Sequence, residues 1–387
     1  MENLVLLAAL SLLIMISPFA SRLSGLPVAI TEIALGALAA FFGFFAEGGE
    51  LFDSIARVGF LYLMFLAGME IDLREFGAIK RSLWRRIAAF LITLYALAIA
   101  IVFSFNLPPI YIAALPTISV GMIVVLIRAR GRSEWLSFGM KLGVVGELIS
   151  ICVLTVLSGA VQLGGFNLEF LQTMATLLFV LICVWMFFYL SAALFWWFPK
   201  LKKLIMPEQD SLDEDVRIAF ALFFALVAAM IYLGLEHVLG AFVAGMFIAN
   251  YFNHKTDLPK KLGSLGFGFL TPIFFLHVGG TLDLRLILQA DIALAAALIF
   301  FAMTAIRISA SLIAFRGVFT ALDRLRVGLS QSMPLTFLVA VATIGYEGEL
   351  LNQNEYSSFI VASVAEVAVI MLFVKWLDKK TARYAKQ

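Results

Sequence analysis

The chain has 387 residues, of which 63% are hydrophobic and 14% charged, with a formal net charge of +2 and a mean hydropathy of +1.01. Soluble domains run nearer half apolar and a quarter charged, so this composition excludes a soluble domain with a large core and leaves an all-α polytopic membrane protein. The only two cysteines, Cys152 and Cys183, both lie in apolar runs, which argues against a disulfide framework and against a zinc site.

A bilayer core of about 30 Å needs about 20 mostly apolar residues per helix. On that ruler the sequence predicts 13 spans, at 3–21, 26–46, 54–71, 85–105, 109–129, 135–162, 168–198, 216–235, 237–252, 260–280, 287–315, 325–345 and 355–376. The first run starts with Glu2 and has no basic n-region, so it is expected to be a retained helix and not a cleaved signal. No soluble appendage is expected after the last span. Basic residues cluster after odd-numbered spans, as in Arg81, Arg85 and Arg86, in Lys200, Lys202 and Lys203, and in the tail from Lys375; Arg285 is the exception. The positive-inside rule then predicts an outside N-terminus and a cytoplasmic C-terminus.

An internal repeat follows the same order in both halves. TEIALGALAAFFGF from Thr31 resembles LEHVLGAFVAGMFI from Leu235, with Glu32 matching Glu236. GFLYLMFLAGMEIDLR from Gly59 resembles GFLTPIFFLHVGGTLDLR from Gly268. LPTISVGMIVV from Leu115 resembles MPLTFLVAVAT from Met333, and VVGELISI from Val144 resembles SVAEVAVI from Ser363, with Glu147 matching Glu366. Spans one to six thus pair with eight to thirteen around a linker span. The odd offset makes the two halves cross the membrane in opposite senses, a pattern of secondary transporters.

The residues that could carry chemistry sit inside these spans. Pro116 and Pro334 occupy matching mid-span positions, with Thr117 and Ser119 beside the first and Ser330, Ser332 and Thr336 beside the second. Proline removes a helix hydrogen bond, and non-helical backbone at that depth is tolerated where protein or a cavity covers it. The spans therefore read as two broken, crossing helices whose hydroxyls and carbonyls offer oxygen ligands; a plain proline kink is the alternative. Glu147 lies mid-span in KLGVVGELISIC. A carboxylate there costs several kcal/mol unless it has a partner or water. Poised between burial and a nearby cation, it would bind a proton or a hard monovalent cation in competition; a structural carboxylate is the alternative. Arg307, in TAIRISAS of span eleven, stays charged and is the natural counter-charge for Glu147 or Glu366, unless it snorkels to the interface. His237 and His277 have ordinary structural readings. P-loop, Rossmann and nucleophile-elbow patterns are absent from the sequence, so neither ATP-driven transport nor an enzyme is suggested.

In LPVAITEIALGALAAFFGF, FLYLMFLAGMEIDLREF, the Gly146-Glu147 stretch, LGAFVAGMFIAN and TPIFFLHVGGTLDL, the chain resembles the monovalent cation:proton antiporter-2 family of the sodium/hydrogen exchanger superfamily. The resemblance covers essentially the whole chain. It implies a homodimer in the lipid bilayer of the cytoplasmic (inner) membrane and an elevator-like cycle. It divides the chain into dimerisation-domain parts at 1–80 and 211–285, core parts at 81–165 and 286–387, and a linker helix at 166–210. The family's acidic pair aligns with Gly146-Glu147 and its basic residue on the eleventh helix with Arg307. Glu147 stands where the family has Asp, and Gly146 lacks the first polar group, which would favour electroneutral exchange. The expected function is Na⁺/H⁺ or K⁺/H⁺ antiport, with a passive cation channel or a transport-incompetent sensor as alternatives. The implied site comprises Glu147, Thr117 and Ser119 as ion or proton ligands, Arg307 and Glu366 as charge partners, and Pro116, Pro334, Ser332 and Thr336 at the crossing. No cofactor or resident metal is expected beyond the transported H⁺ and Na⁺ or K⁺, and no nucleic-acid partner or nucleotide-binding domain.

Overall fold

The computed structural model describes residues 2–45, 49–71, 81–118, 123, 133–162, 167–198, 200, 213–235, 237–252, 255–282, 284–287, 289–332 and 334–384. Among these there is no strand. The helices are α1 (Glu2–Ser24), α2 (Val28–Phe41), α3 (Gly49–Met69), α4 (Arg81–Phe105), α5 (Tyr111–Ala114), α6 (Glu134–Gln162), α7 (Leu168–Trp197), α8 (Glu214–Tyr232) and α9 (His237–Tyr251). They continue with α10 (Leu258–Gly280), which contains a π-helical turn at Gly266–Leu270, then α11 (Ala290–Ala314), α12 (Ala321–Ser330), α13 (Leu335–Glu347) and α14 (Gln353–Tyr384). Eight of the described helices are long and apolar enough to cross a membrane.

Helix occupies every predicted span except much of the fifth, about half of which, including Ser119, lies outside the described residues. Span nine is one uninterrupted helix despite Gly240 and Gly245. Span twelve is two helices. α12 ends at Ser330, and α13 starts after Pro334, whose carbonyl accepts from the Leu338 amide at 2.8 Å. A proline has no N–H for the preceding turn, so the break falls there. α14 runs to Tyr384, past the apolar run, because hydropathy marks the bilayer and not the end of a helix.

Contacts group the chain into two units, 1–77 with 159–282, and 78–158 with 283–387. In the first unit, α2 packs on α10 and α3 packs on α9. Both contacts are made through glycine. A Cβ at Gly36 or Gly279 would overlap the backbone of Leu276 or Ile33, and one at Gly68 or Gly245 would overlap that of Phe242 or Phe65. Small residues let membrane helices approach to backbone contact. The repeat pairs α2 with α9 and α3 with α10, so these are one contact made twice, with Gly68 and Gly279 as counterparts. Side chain to backbone bonds reinforce it: Tyr62 Oη donates to the Leu262 carbonyl at 3.0 Å, and Asn250 Nδ2 to that of Ile71 at 2.8 Å. By contrast α7 leaves Phe179, Trp185, Leu190, Trp196 and Trp197 exposed, as suits a lipid-facing helix.

In the second unit α11 is central, packing on α4, α12 and α14. Its C-terminal carbonyls are capped by arginine: Arg86 reaches Ala314 O at 3.0 Å and Arg324 reaches Leu312 O at 2.9 Å. Cations there complement the helix dipole. Phe315 then stacks on Phe90 and meets Phe138 edge-on, which ties α4 and α6 to the end of α11.

The glycine contacts give a direct test. Gly279→Ala forces two backbones apart and is expected to cost about 2 kcal/mol, read as a lowered melting temperature of the purified protein. Gly268→Ala on the same helix, where a Cβ meets nothing within 4 Å, should leave the melting temperature unchanged.

Candidate functional site

The second unit gathers the buried charges. Arg307 on α11 is completely buried, and so is Glu366 on α14. Arg307 Nη1 donates to Glu366 Oε1 at 3.3 Å, and Thr304, one turn earlier on α11, donates its hydroxyl to the same oxygen at 3.2 Å. The other guanidinium arm, Nη2, donates to the backbone carbonyl of Thr117. A buried guanidinium needs both a counter-charge and acceptors for its remaining donors. Here one acceptor comes from a side chain and the other from a helix that has come undone.

That undone helix is span five. α5 stops at Ala114; Leu115 still donates its N–H to the Tyr111 carbonyl at 3.0 Å, and Pro116 to Ile118 lie beyond the helix. Pro116 lies in this stretch. The Thr117 hydroxyl turns back to the Ala114 carbonyl at 2.7 Å, closing the frayed turn, while its own carbonyl is taken by Arg307. The Thr117 polar groups are thus satisfied in a buried place, as irregular backbone at membrane depth requires.

Glu147 stands on α6 and is 1% exposed. Its neighbour Gly146 lies against Ile118, immediately after Thr117: a Cβ on Gly146 would sit 2.5 Å from Ile118 Cδ1 and 3.1 Å from its Cβ. The absence of a polar side chain at position 146 therefore has a steric reason. α6 passes so close to the break that Ile118 occupies the volume. The chain of contacts runs from Glu147 through Gly146 and Ile118 to Thr117, and from its carbonyl to Arg307 and Glu366. Arg307 pairs with Glu366.

The second break is built differently. Gln331, the residue after α12, is fully buried and donates Nε2 to the Gly139 carbonyl of α6 at 3.0 Å. Ser332 donates to Gly328 O at 3.0 Å, and Pro334 caps the start of α13. Thr336 lies in the first turn of α13, with its side chain outside the described residues, as is the whole of Ser119. The first of these links ties the α12 break to the helix that carries Glu147.

Sequence reasoning singled out Glu147, Thr117, Arg307, Glu366 and the two prolines, and the second unit contains all of them. It did not single out Ile118, Thr304, Gln331, Tyr95 or Ser150. Thr304 and Ser150 carry a helical signal, standing three residues from Arg307 and from Glu147. Ile118 and Tyr95 carry none, since an apolar or aromatic residue in an apolar span is unremarkable until a neighbour is known.

Removing one member of the buried pair leaves an uncompensated charge. Arg307→Leu or Glu366→Gln is expected to destabilise the protein by about 3 kcal/mol, and the double variant Arg307→Met with Glu366→Met to recover most of that loss. Thermal unfolding of the four purified proteins checks it.

A family model described as the transmembrane sodium/hydrogen exchanger matches residues 7–380. YjbQ of Bacillus subtilis is 25% identical over 374 residues, covering 90% of this chain. The chain spans 59% of the length of YjbQ. The Na(+)/H(+) antiporter of Enterococcus hirae is 24% identical over 417 aligned residues, covering 98% of this chain and 99% of that one. Among solved structures, the sodium proton antiporter MjNhaP1 from Methanocaldococcus jannaschii shares the fold, with a TM-score of 0.71 over 97% of this chain and 98% of that chain at 14% identity. With the family model covering nearly the whole sequence, and the broken helices and buried charges in place, the chain belongs to the sodium/hydrogen exchanger family.

Proposed function

We propose that this protein is a secondary antiporter that exchanges a monovalent cation, Na⁺ or K⁺, for H⁺. The observation that carries the reading is the completely buried Glu147 on α6, set beside the break in span five whose carbonyl is held by Arg307. The names of YjbQ's fellow relative in Enterococcus hirae and of the fold neighbour MjNhaP1 support it.

The mechanism follows from charge. Arg307 remains cationic and is balanced by Glu366 at 3.3 Å. Glu147, buried on α6, is the carboxylate assigned to the exchanged ions. Either a proton or a monovalent cation neutralises it, so binding of one displaces the other, and the loaded site has the same net charge in both states. Exchange is then one for one and electroneutral. A loaded, neutral site crosses a low-dielectric barrier far more readily than an empty, charged one, and this couples the two flows.

Further parts of the reading concern the whole molecule. The unit formed by 78–158 and 283–387 is the ion-carrying body, and the glycine-packed unit is the scaffold on which a homodimer forms. The protein sits in the cytoplasmic membrane with its C-terminus inside, as the distribution of Lys and Arg suggests.

Three outcomes test this in proteoliposomes. Wild-type protein should show cation-dependent proton flux whose rate does not change with an imposed membrane potential. Glu147→Gln should abolish that flux, and full activity in the variant would overturn the site assignment. Gly146→Asn should lower the flux by collision with Ile118, and Ile118→Ala in the same chain should restore part of it.

A further inference from the structure

α4 and α6 bring two hydroxyls together that the mechanism above does not use. Tyr95 of α4 lies against Ser150 of α6, with Cys152 and Arg307 close by. Tyr95 Oη and Ser150 Oγ are both buried and interact with each other, and neither has any other hydrogen-bond partner among the described residues.

That is unusual for this protein. The ordinary fate of a hydroxyl on a buried helix is to bond a carbonyl three or four residues back. Thr117, Thr155, Ser332, Ser358 and Ser363 all do so. Ser150 is 2% exposed and does not. Buried polar atoms without partners are rare because their lost hydration is not returned, so each one asks for an explanation. Ser357 and Thr343 share the trait, but neither stands within one helical turn of a buried carboxylate.

Ser150 does. It follows Glu147 by three residues, which places both on one face of α6, about 4.5 Å apart along the axis. Tyr95 adds a second oxygen and is also near Arg307, whose other arm holds the Thr117 carbonyl. Tyr95 of α4 and the broken helix of span five therefore approach, from separate elements, the α6 segment that carries Glu147 and Ser150. A monovalent cation taken from water replaces its hydration shell with several oxygens. A carboxylate supplies at most two, and neutral hydroxyls add ligands without adding charge.

We propose that Tyr95 and Ser150 form a hydroxyl subsite that supplies oxygen ligands, directly or through one water, to the alkali-metal cation held at Glu147. The inference rests on the antiport reading above. It makes the hydroxyl pair a determinant of cation affinity and of the preference among Na⁺, K⁺ and Li⁺. Proton binding, which needs only the carboxylate, does not use the pair.

Tyr95→Phe and Ser150→Ala each remove one oxygen with little change of shape. In reconstituted antiport assays each is expected to raise the cation concentration for half-maximal exchange by about tenfold, with the maximal rate kept within about twofold. The order of preference among Na⁺, K⁺ and Li⁺ should change in at least one variant, and the double variant should fall short of the product of the two effects, since the groups share one ligand. A merely structural role would instead lower the melting temperature and the maximal rate at unchanged half-saturation. Wild-type half-saturation for all three cations in both variants overturns the subsite. Absence of cation-dependent proton flux in the wild-type protein is a separate result that overturns the antiport reading, and the subsite with it.

Discussion

A guanidinium with no water around it needs a counter-charge and acceptors, and both terminal nitrogens of Arg307 find them on other chain segments, while Nε has none. Glu366 balances its charge from α14, Thr304 shares the same carboxylate oxygen from α11 itself, and Thr117 offers a backbone carbonyl from the break in span five. The last contact matters most for the architecture. A broken helix at membrane depth exposes a carbonyl that lipid cannot satisfy. Arg307 supplies the missing donor, and the break in turn gives Arg307 an acceptor that carries no charge. Each defect is tolerable only because the other exists.

This arrangement also accounts for the character of Glu147. Glu366 is taken up by Arg307, and the carboxylate on α6 is the group proposed to bind the exchanged ions. Ile118 pressed on Gly146 keeps the neighbouring position apolar. In the antiport cycle proposed above, such a site would handle one unit of positive charge per turn, with a proton and a metal ion competing for one carboxylate. Neutral oxygens from hydroxyls and carbonyls adjust which ion wins without disturbing that count.

The first unit is built on a different principle. Its helices meet at glycine, backbone against backbone, in two contacts related by the internal repeat. Close contact over a long apolar seam leaves little room for sliding. The second unit, in contrast, contains breaks, buried polar side chains and arginine-capped ends. Rigidity and polarity have been separated into different parts of one chain.

The all-helical membrane architecture and the burial of Glu147, Arg307 and Glu366 within apolar helices were legible in the sequence. Apolarity over about 20 residues is a property of a local stretch, and so is the cost of a charge inside it. Pro116 and Pro334 announced the breaks for the same reason, since a missing N–H acts on its own helix. What the sequence could not decide was partnership. Arg307 had two carboxylates to choose from, and Gly146 read as a lost ligand. Only the packing of α6 over the break shows that Ile118 fills its place, and only the approach of α11 to α14 assigns Arg307 to Glu366. Tyr95 meets Ser150 across 55 positions of chain. Contacts of that kind depend on how helices cross in three dimensions, and no local pattern of residues encodes the crossing.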